Sequence, residues 1–520
     1  MDQQITTKDN FSAPSESLWH QTTHLPAFRK LDQEIKTETA IIGGGITGIT
    51  TAYMLAQKGV KVALIEAKRL ASGTTGNTTA KISVQHGLIY DQLFAHFGKE
   101  KARNYYQANH DALRWIEQTI RGHSISCAYE KQKAILYATT DQERRAIEQE
   151  KAAYDQLGIP SELSETLDLP FQVKGGLLLE NQAQFHPLMY LHFLISELVR
   201  MKVPIYEQTL ALELEKEPDL AVVTSDGCRI HCHDLVIASH FPYYDANRFY
   251  FARMFPERSY LIACTAPSRA PEGMYLSAGD PKRSIRSYTD SGQNIILLGG
   301  ENHKTGQGDD TTDHYQRLAG FANQLLGENR PFAHWSAQDF TTLDKVPYIG
   351  RITKNEAHVF VAAGFHKWGM TTSTFAAQLF TDEILGQGNP YSDLFSPSRF
   401  ETDPMIKNFL IENVKVGTEF IKGKLDKGKD SLKLLEKGQG AIVSINGKRA
   451  GAYREDSGHL LLIDTTCTHL GCELNWNQAE KTWDCPCHGS RFSTSGAVID
   501  GPALQPLKKL YEESKNTDNN

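Results

Sequence analysis

Four of the eight cysteines, Cys467, Cys472, Cys485 and Cys487, fall within 21 residues, and histidines sit among them. The order is Cys467-Thr468-His469, then fifteen residues, then Cys485-Pro486-Cys487-His488. Thiolates are soft ligands that suit iron–sulfur clusters, and imidazoles suit iron and zinc. A structural zinc site usually spaces its cysteines C-x₂₋₄-C with a later H-x₃₋₅-H, which C-x-H does not reproduce. An iron–sulfur centre with mixed Cys and His ligands is the better reading. The other cysteines, Cys127, Cys228, Cys232 and Cys264, are scattered. Clustering of this kind argues against a secreted disulfide framework, which would spread its cysteines over a short chain.

A second chemical motif lies near the start, Gly43-x-Gly45-x-x-Gly48. It sits where a β-rich run from Ile35 to Ile42 gives way to helical periodicity over 46–58, followed by the buried-strand run VKVALI ending at Ile65. Strand, glycine turn, helix and strand make a βαβ unit. The first glycine permits the turn, the second lets a pyrophosphate approach the backbone, and the third lets helix pack on strand. Ile46 and Thr47 open the helix whose free N–H groups face the phosphates. Glu66 follows the second strand, with 17 residues between it and Gly48, where its carboxylate can accept from a ribose hydroxyl. The chain shows no second glycine fingerprint, so nothing marks a separate nicotinamide domain.

Three further stretches decide between cofactors. Ser72-Gly73-Thr74-Thr75-Gly76-Asn77-Thr78-Thr79-Ala80 resembles the loop that wraps the flavin diphosphate in the D-amino-acid oxidase superfamily. Leu343-Asp344-Lys345-Val346-Pro347-Tyr348-Ile349-Gly350 resembles that superfamily's D-x-x-P-x-x-G element. Ala363-Gly364-Phe365-His366-Lys367-Trp368-Gly369-Met370-Thr371 resembles its C-terminal glycine-rich stretch at the flavin. The resemblance covers roughly residues 35 to 390 and implies FAD. On it, Gly43, Gly45, Ile46, Thr47, Gly48, Glu66, Thr74, Thr75, Thr79, Gly364, Trp368, Gly369, Met370 and Thr371 bind the cofactor. Relatives that attach flavin covalently use a His in the early loop or a Cys near the late one. Residues 66–84 contain neither, and the late position is Ala337, so non-covalent FAD is expected. The amino-acid oxidases place an Arg before the D-x-x-P element to grip a carboxylate. Here that segment reads Trp335-Ser336-Ala337-Gln338-Asp339, and the matching Asp339 is expected to face a cationic or amine-bearing substrate. His366, with Lys367 and Trp368 beside it, is a catalytic candidate by position, and so are Arg286 and Tyr288 on a strand of the substrate domain. A histidine suits proton transfer because its ordinary pKa lies near neutrality.

The clustered cysteines resemble a family too. Cys467-Thr468-His469-Leu470-Gly471-Cys472 and Cys485-Pro486-Cys487-His488-Gly489-Ser490 are similar to the two ligand loops of Rieske proteins from cytochrome bc complexes. The resemblance implies a [2Fe-2S] cluster with Cys467 and Cys485 on one iron and His469 and His488 on the other. It also implies a Cys472–Cys487 disulfide and a covering loop at Gly501-Pro502-Ala503. Ser490 is placed to donate a hydrogen bond to the cluster, whereas the position of a second donor, a Tyr, is Phe492. The potential expected is intermediate to high within the class range of about −150 to +300 mV.

The positioning elements follow. The 520 residues suggest about three domains at roughly 150 each. Residues 1–30 read as an irregular polar arm and 31–390 as the FAD-dependent oxidoreductase, a Rossmann-like α/β fold with an interleaved α+β substrate domain. Its FAD-binding segments are expected at about 35–90, 170–240 and 335–390, with helical signals dominating 91–157. Residues 391–440 carry eight lysines between Lys407 and Lys437 and read as a linker with a docking helix. Ile406, Phe409, Leu410, Val416 and Phe420 would line its buried face. Residues 441–515 form a small all-β Rieske domain. The net charge of −7, from 55 basic and 62 acidic side chains, argues against nucleic acid and against an anionic membrane as partner. No run of apolar residues is long enough to span a bilayer. The N-terminal residues lack the features of a signal peptide, which makes the cytoplasm the default compartment.

Together these features describe an oxidoreductase that oxidises a small, amine-bearing substrate at FAD. It would pass electrons singly through the cluster to an external acceptor protein, with the linker holding the cluster domain near the flavin or letting it swing. Two alternatives use the same parts. A donor protein could send electrons inward through the cluster, making a reductase or monooxygenase, or the chain could be a redox-sensing electron-transfer protein without turnover.

Overall fold

The structure, a computed structural model, describes residues 11, 15–266, 270–290, 292–308, 310–399, 405–426, 432 and 435–512. The glycine motif lies in a six-stranded sheet whose centre is the parallel set Val359–Ala363, Asp234–Ile237, Thr39–Ile42 and Val62–Ile65. All four strands are buried along their whole length, as their unbroken apolar runs require when helices cover both faces. The helices Ile46–Gln57 and Gly369–Ile384 pack on each other beside this sheet. Both begin at the carboxyl ends of strands, where ligands of open α/β sheets bind.

A nine-stranded mixed sheet stands against that end. Its long strands Met254–Thr265, Gln293–Lys304 and Ala333–Thr342 pair antiparallel. Two expected boundaries move. The strands Gly175–Gln184 and Ala333–Thr342, placed by sequence near or within FAD-binding segments, belong to this second sheet. The region expected to be helical over 91–157 contains the strand Glu130–Ala138 between the helices Tyr90–Gly122 and Asp141–Leu157. Its first four residues are polar and largely exposed, which hides the buried half, Ala134 to Ala138.

The N-terminal arm is not a loose tail over its described part. Leu18–Thr22 is a short helix with Trp19 fully buried. Trp19 Nε1 donates to the Thr78 carbonyl at 2.7 Å and Ser17 Oγ to the Gly76 carbonyl at 2.5 Å. The arm therefore clamps the small-residue loop over 72–80.

The C-terminal unit is all-β, with two four-stranded sheets that start at Gly440–Ile445 and carry the ligand loops. The connecting segment contains the helix Met405–Leu425. Asn408 and Asn413 donate to the carbonyls of Leu343 and Ala252, and Val416 packs on the cluster-domain core. Phe409 and Phe420, expected on that buried face, are exposed, while Ile406 and Leu410 lie outside the described side chains. Among the described residues no helix is long and apolar enough to cross a membrane.

Candidate functional site

A cavity of about 970 Å³ opens between the two large sheets. Gly43, Gly45, Ile46, Thr47, Glu66, Thr74, Thr75, Thr79, Trp368, Gly369 and Met370 line it, as expected of a flavin site. The helix Ile46–Gln57 presents its N-terminus there with the side-chain-free Gly45 as cap; the Ile46 N–H donates to Thr75 Oγ1 at 3.1 Å, and the rest of the first turn offers N–H groups to an anion. Gly48, Gly364 and Thr371 lie behind the wall. A Cβ on Gly48 would meet the Gly43 carbonyl oxygen at 1.9 Å, so only glycine lets this helix sit so close to the turn. Thr371 Oγ1 is tied to Asn109 at 3.0 Å. Glu66 accepts from the N–H of Gly44 at 2.7 Å and of Lys68 at 2.8 Å, and burial raises its pKa against the pull of those donors. A cradle of small residues, a helix N-terminus and a carboxylate at the second strand fit a flavin dinucleotide. Ala337 lines the cavity, and no cysteine does so among the described residues.

The far end of the cavity holds the polar groups of a substrate site. His366 lines it with Nδ1 2.9 Å from Thr341 Oγ1. Burial, then Lys367, Lys345, His86 and Lys282, hold its pKa far below the ordinary value, so the imidazole is neutral. Asp339 also lines the cavity, but it does not stand free for a cation. Its Oδ1 accepts from the Phe340 N–H at 2.7 Å and its Oδ2 from the Lys367 N–H, while His240 approaches to 3.9 Å. One oxygen pins the Phe365–Lys367 turn and the other holds the backbone of its own strand. Arg286 is a clearer correction. It lies outside the cavity wall, fully buried, donating to Gln184, Ala80, Phe185 and Thr79. With its donors taken by neutral acceptors it braces the flavin loop, and Tyr288, packed edge-on to Trp19, lies behind it.

Lys81 carries chemistry that sequence reasoning misses. It follows the small-residue loop directly and lines the cavity. Its Nζ donates to the Tyr275 carbonyl and Ser284 Oγ, both at 2.7 Å. Burial, followed by repulsion from Arg286, lowers its pKa to about 7. A lysine on a two-residue strand gives no warning of this, because its burial comes from the distant substrate sheet. Lys282, Lys345 and Lys367 line the same end, against Glu257 and Asp280.

The second site is the cluster of thiols and imidazoles. Cys467, Cys485 and His488 are buried, and the Cys467 and Cys485 thiols are within hydrogen-bonding reach of each other. That contact, with backbone N–H groups of His469 and Leu470 and the Ser490 hydroxyl, outweighs burial and brings the Cys467 thiol down to about 7. The Nδ1 atoms of His469 and His488 are buried without a hydrogen-bond partner. Burial holds these imidazoles neutral, with pKa values lowered to about 4 and 3. Two buried thiols and two orphaned neutral ring nitrogens, their rings 5.1 Å apart, fit a metal cluster. Cys472 and Cys487 form the disulfide that ties the ligand loops together. Ser490 Oγ accepts from the Ala503 N–H at 3.0 Å, which leaves its own proton to donate towards Cys467.

The two sites meet. Phe251, on the flavin side, stands edge-on to both histidine rings, with centroids 5.5 and 5.1 Å away. Residues 498–504 of the cluster domain form part of the flavin cavity wall beside Lys68 and Phe241. Gln338 spans the gap: its carbonyl accepts from Thr74 Oγ1 at 2.7 Å and its Nε2 donates to the Gly489 carbonyl at 2.9 Å. Glu480 reaches back to Arg258 at 3.4 Å and Tyr315 at 2.8 Å. A domain seated by these contacts is held against the flavin site.

Residues 38–383 match the family of FAD dependent oxidoreductases and residues 429–511 the Rieske [2Fe-2S] domain. The chain is 45% identical over 496 residues to a Rieske 2Fe-2S iron-sulfur protein, YhfW, of Bacillus subtilis, covering 95% of this chain and 97% of that one. Over 53 residues, 10% of this chain and 30% of the other, it is 47% identical to the cytochrome b6-f complex iron-sulfur subunit 2 of Trichormus variabilis. The fold of glycine oxidase from Geobacillus kaustophilus superposes with a TM-score of 0.60 at 18% identity, covering 70% of this chain and 99% of that one.

Proposed function

Because the chain belongs to the FAD dependent oxidoreductase family and carries a C-terminal Rieske [2Fe-2S] domain, we propose that it is a dehydrogenase for a small amine-bearing substrate. On this reading it delivers electrons one at a time, through the cluster, to an external acceptor. The observation that carries the proposal is the seating of the cluster histidines on Phe251, with residues 498–504 in the flavin cavity wall. When bound, FAD supplies a hydride acceptor and the cluster a one-electron carrier.

The chain's own residues do the rest. The glycine turn, Glu66 and the Thr74, Thr75 and Thr79 loop hold the dinucleotide, and Cys467, Cys485, His469 and His488 hold the cluster. An amine must lose its ammonium proton before its carbon can give up hydride. Lys81 is suited to accept that proton, because its two neutral acceptors match the two hydrogens of an uncharged amine and its lone pair is left for the substrate. His366, neutral and fixed through Thr341, orients the substrate. Lys282, Lys345 and Lys367 favour a substrate that also bears an anionic group, and Asp339 acts by fixing the turn that carries His366 and Lys367. The exposed Leu470, next to His469, and Phe249, 5.9 Å from Phe251, give an acceptor an apolar landing beside the cluster.

The test is an anaerobic screen of amines and amino acids against the holoenzyme, following flavin bleaching and then the cluster EPR signal. Bleaching followed by cluster reduction is the expected result. Bleaching without a cluster signal would sink the proposed route. Reduction by a ferredoxin alone would reverse the direction of flow.

A further inference from the structure

The helix Met405–Leu425 touches the body of the protein along one face and leaves a second apolar stripe facing out. Inward lie Asn408, Glu412, Val416 and Gly423. Asn408 donates to the Leu343 carbonyl, Glu412 pairs with Lys304, Val416 packs on the cluster domain, and Gly423 abuts Glu473. Outward, at spacings of three, four and three residues, run Ile411, Val414, Thr418 and Ile421. Val414 is 67% exposed and Ile421 61%, values at odds with an isoleucine or valine placed to fill a core.

Charge divides along the same line. The side chains of Glu412 and Glu419 are only 18% and 23% exposed, whereas those of Lys415 and Lys422, which pair with them at 3.0 and 3.9 Å, are 54% and 75% exposed. Lys424 turns the other way and pairs with the buried Glu473 of the cluster domain at 2.5 Å. The acids therefore turn towards the protein and the lysines flank the outer apolar stripe. The chain's net charge of −7 does not describe this face.

We propose that this outer face seats on the surface of an anionic lipid bilayer, with Ile411, Val414 and Ile421 entering the headgroup boundary and Lys415 and Lys422 meeting lipid phosphates. A protein partner would be expected to match the stripe with its own apolar groove, whereas apolar residues edged by lysines match a bilayer boundary. The helix also runs beside Ala252 and beside the cluster loop at Pro486 and Cys487, so docking would bring the cluster domain to the membrane surface. This proposal concerns where the enzyme works and stands apart from the identity of the substrate.

Co-sedimentation of the full-length holoprotein with vesicles tests it. One set is phosphatidylcholine alone and the other phosphatidylcholine mixed with phosphatidylglycerol. The protein should pellet with the anionic set and not the neutral one. Val414→Ser with Ile421→Ser should weaken binding by more than about tenfold. Lys415→Gln and Lys422→Gln should each weaken it about fivefold. Flavin absorbance and the cluster EPR signal should be unchanged in all of these, which separates lost docking from misfolding. Three results would overturn the proposal: no binding to anionic vesicles, binding indifferent to the variants, or variants that only dissociate a dimer in sedimentation. The last would assign the face to a second copy of the chain.

Discussion

Gly306→Ala should uncouple the cluster from the flavin while leaving both sites chemically intact. Gly306 follows the long strand Gln293–Lys304 on the flavin side, with φ +72. A Cβ there would lie 2.6 Å from Pro486 N, 2.8 Å from the Cys485 carbonyl carbon and 2.9 Å from the Asp484 oxygen. All three are backbone atoms of the cluster loop, so no side chain can rotate away. An alanine in the left-handed region costs roughly 1–2 kcal/mol, and overpacking a tight contact about 1–3 kcal/mol. Withdrawal of the cluster loop relieves the clash, at the expense of the Gln307–Pro486 and Asn475–Gly306 hydrogen bonds of 3.2 and 2.8 Å. The backbone strain is carried docked or undocked, so the clash of about 1–3 kcal/mol is what disfavours the docked arrangement, by roughly fivefold at the lower end. The assay is anaerobic photoreduction of the flavin, followed by the rate at which the cluster signal appears. Gly308→Ala is the control: it strains the same turn at φ +97 but its Cβ meets nothing within 4 Å. The expected result is cluster reduction slowed at least about fivefold in Gly306→Ala only, with flavin and iron content unchanged. Wild-type rates in Gly306→Ala would refute the claim that this seating couples the two sites.

Three other outcomes are expected. Lys81→Met should lower kcat/KM, and the wild-type profile should rise with pH through about 7. The sign follows because burial depresses the pKa and the uncharged form is the proton acceptor, so an unchanged pH profile in Lys81→Met would remove Lys81 from catalysis. Ser490→Ala should lower the cluster potential by on the order of 100 mV, the equivalent of one hydrogen bond to a charged centre, as read by redox titration. Trp19→Ala should cost about 3–5 kcal/mol and release FAD on dilution, because the fully buried indole holds the Thr78 carbonyl of the flavin loop. Thermal unfolding with and without added FAD measures both effects.

What the sequence conveys and what it withholds divide along a physical line. The glycine turn, Glu66 and the two Cys/His loops are local: each is a short segment whose chemistry is complete within a few residues, so spacing alone exposes it. Gly43, Gly45 and Glu66 line the cavity, and the Nδ1 atoms of His469 and His488 are buried without a partner. Arg286 and Asp339 mislead in sequence because a charged residue's partners come from elsewhere in the chain. Gln184, Phe185 and Thr79 consume the donors of Arg286, and the Lys367 N–H takes one oxygen of Asp339. Lys81 escapes notice for the same reason, since Tyr275 and Ser284 that bury it lie about two hundred residues away.

The contact between the two redox sites is the extreme case of a non-local feature. Gly306 reads in sequence as an ordinary loop glycine, Gly489 only as part of a ligand loop, and Gln338 as one polar residue on a strand. Only their opposition gives them a role. Gln338 can join Thr74 on the flavin loop to Gly489 on the cluster loop because its main-chain carbonyl lies in the plane of the sheet while its side-chain amide stands out from it, so one residue of the strand Ala333–Thr342 reaches in two directions. A flexibly tethered carrier would need no such residue, nor a glycine whose Cβ would strike the opposing backbone. The presence of both argues that the cluster works from its docked position, with its histidines held against Phe251.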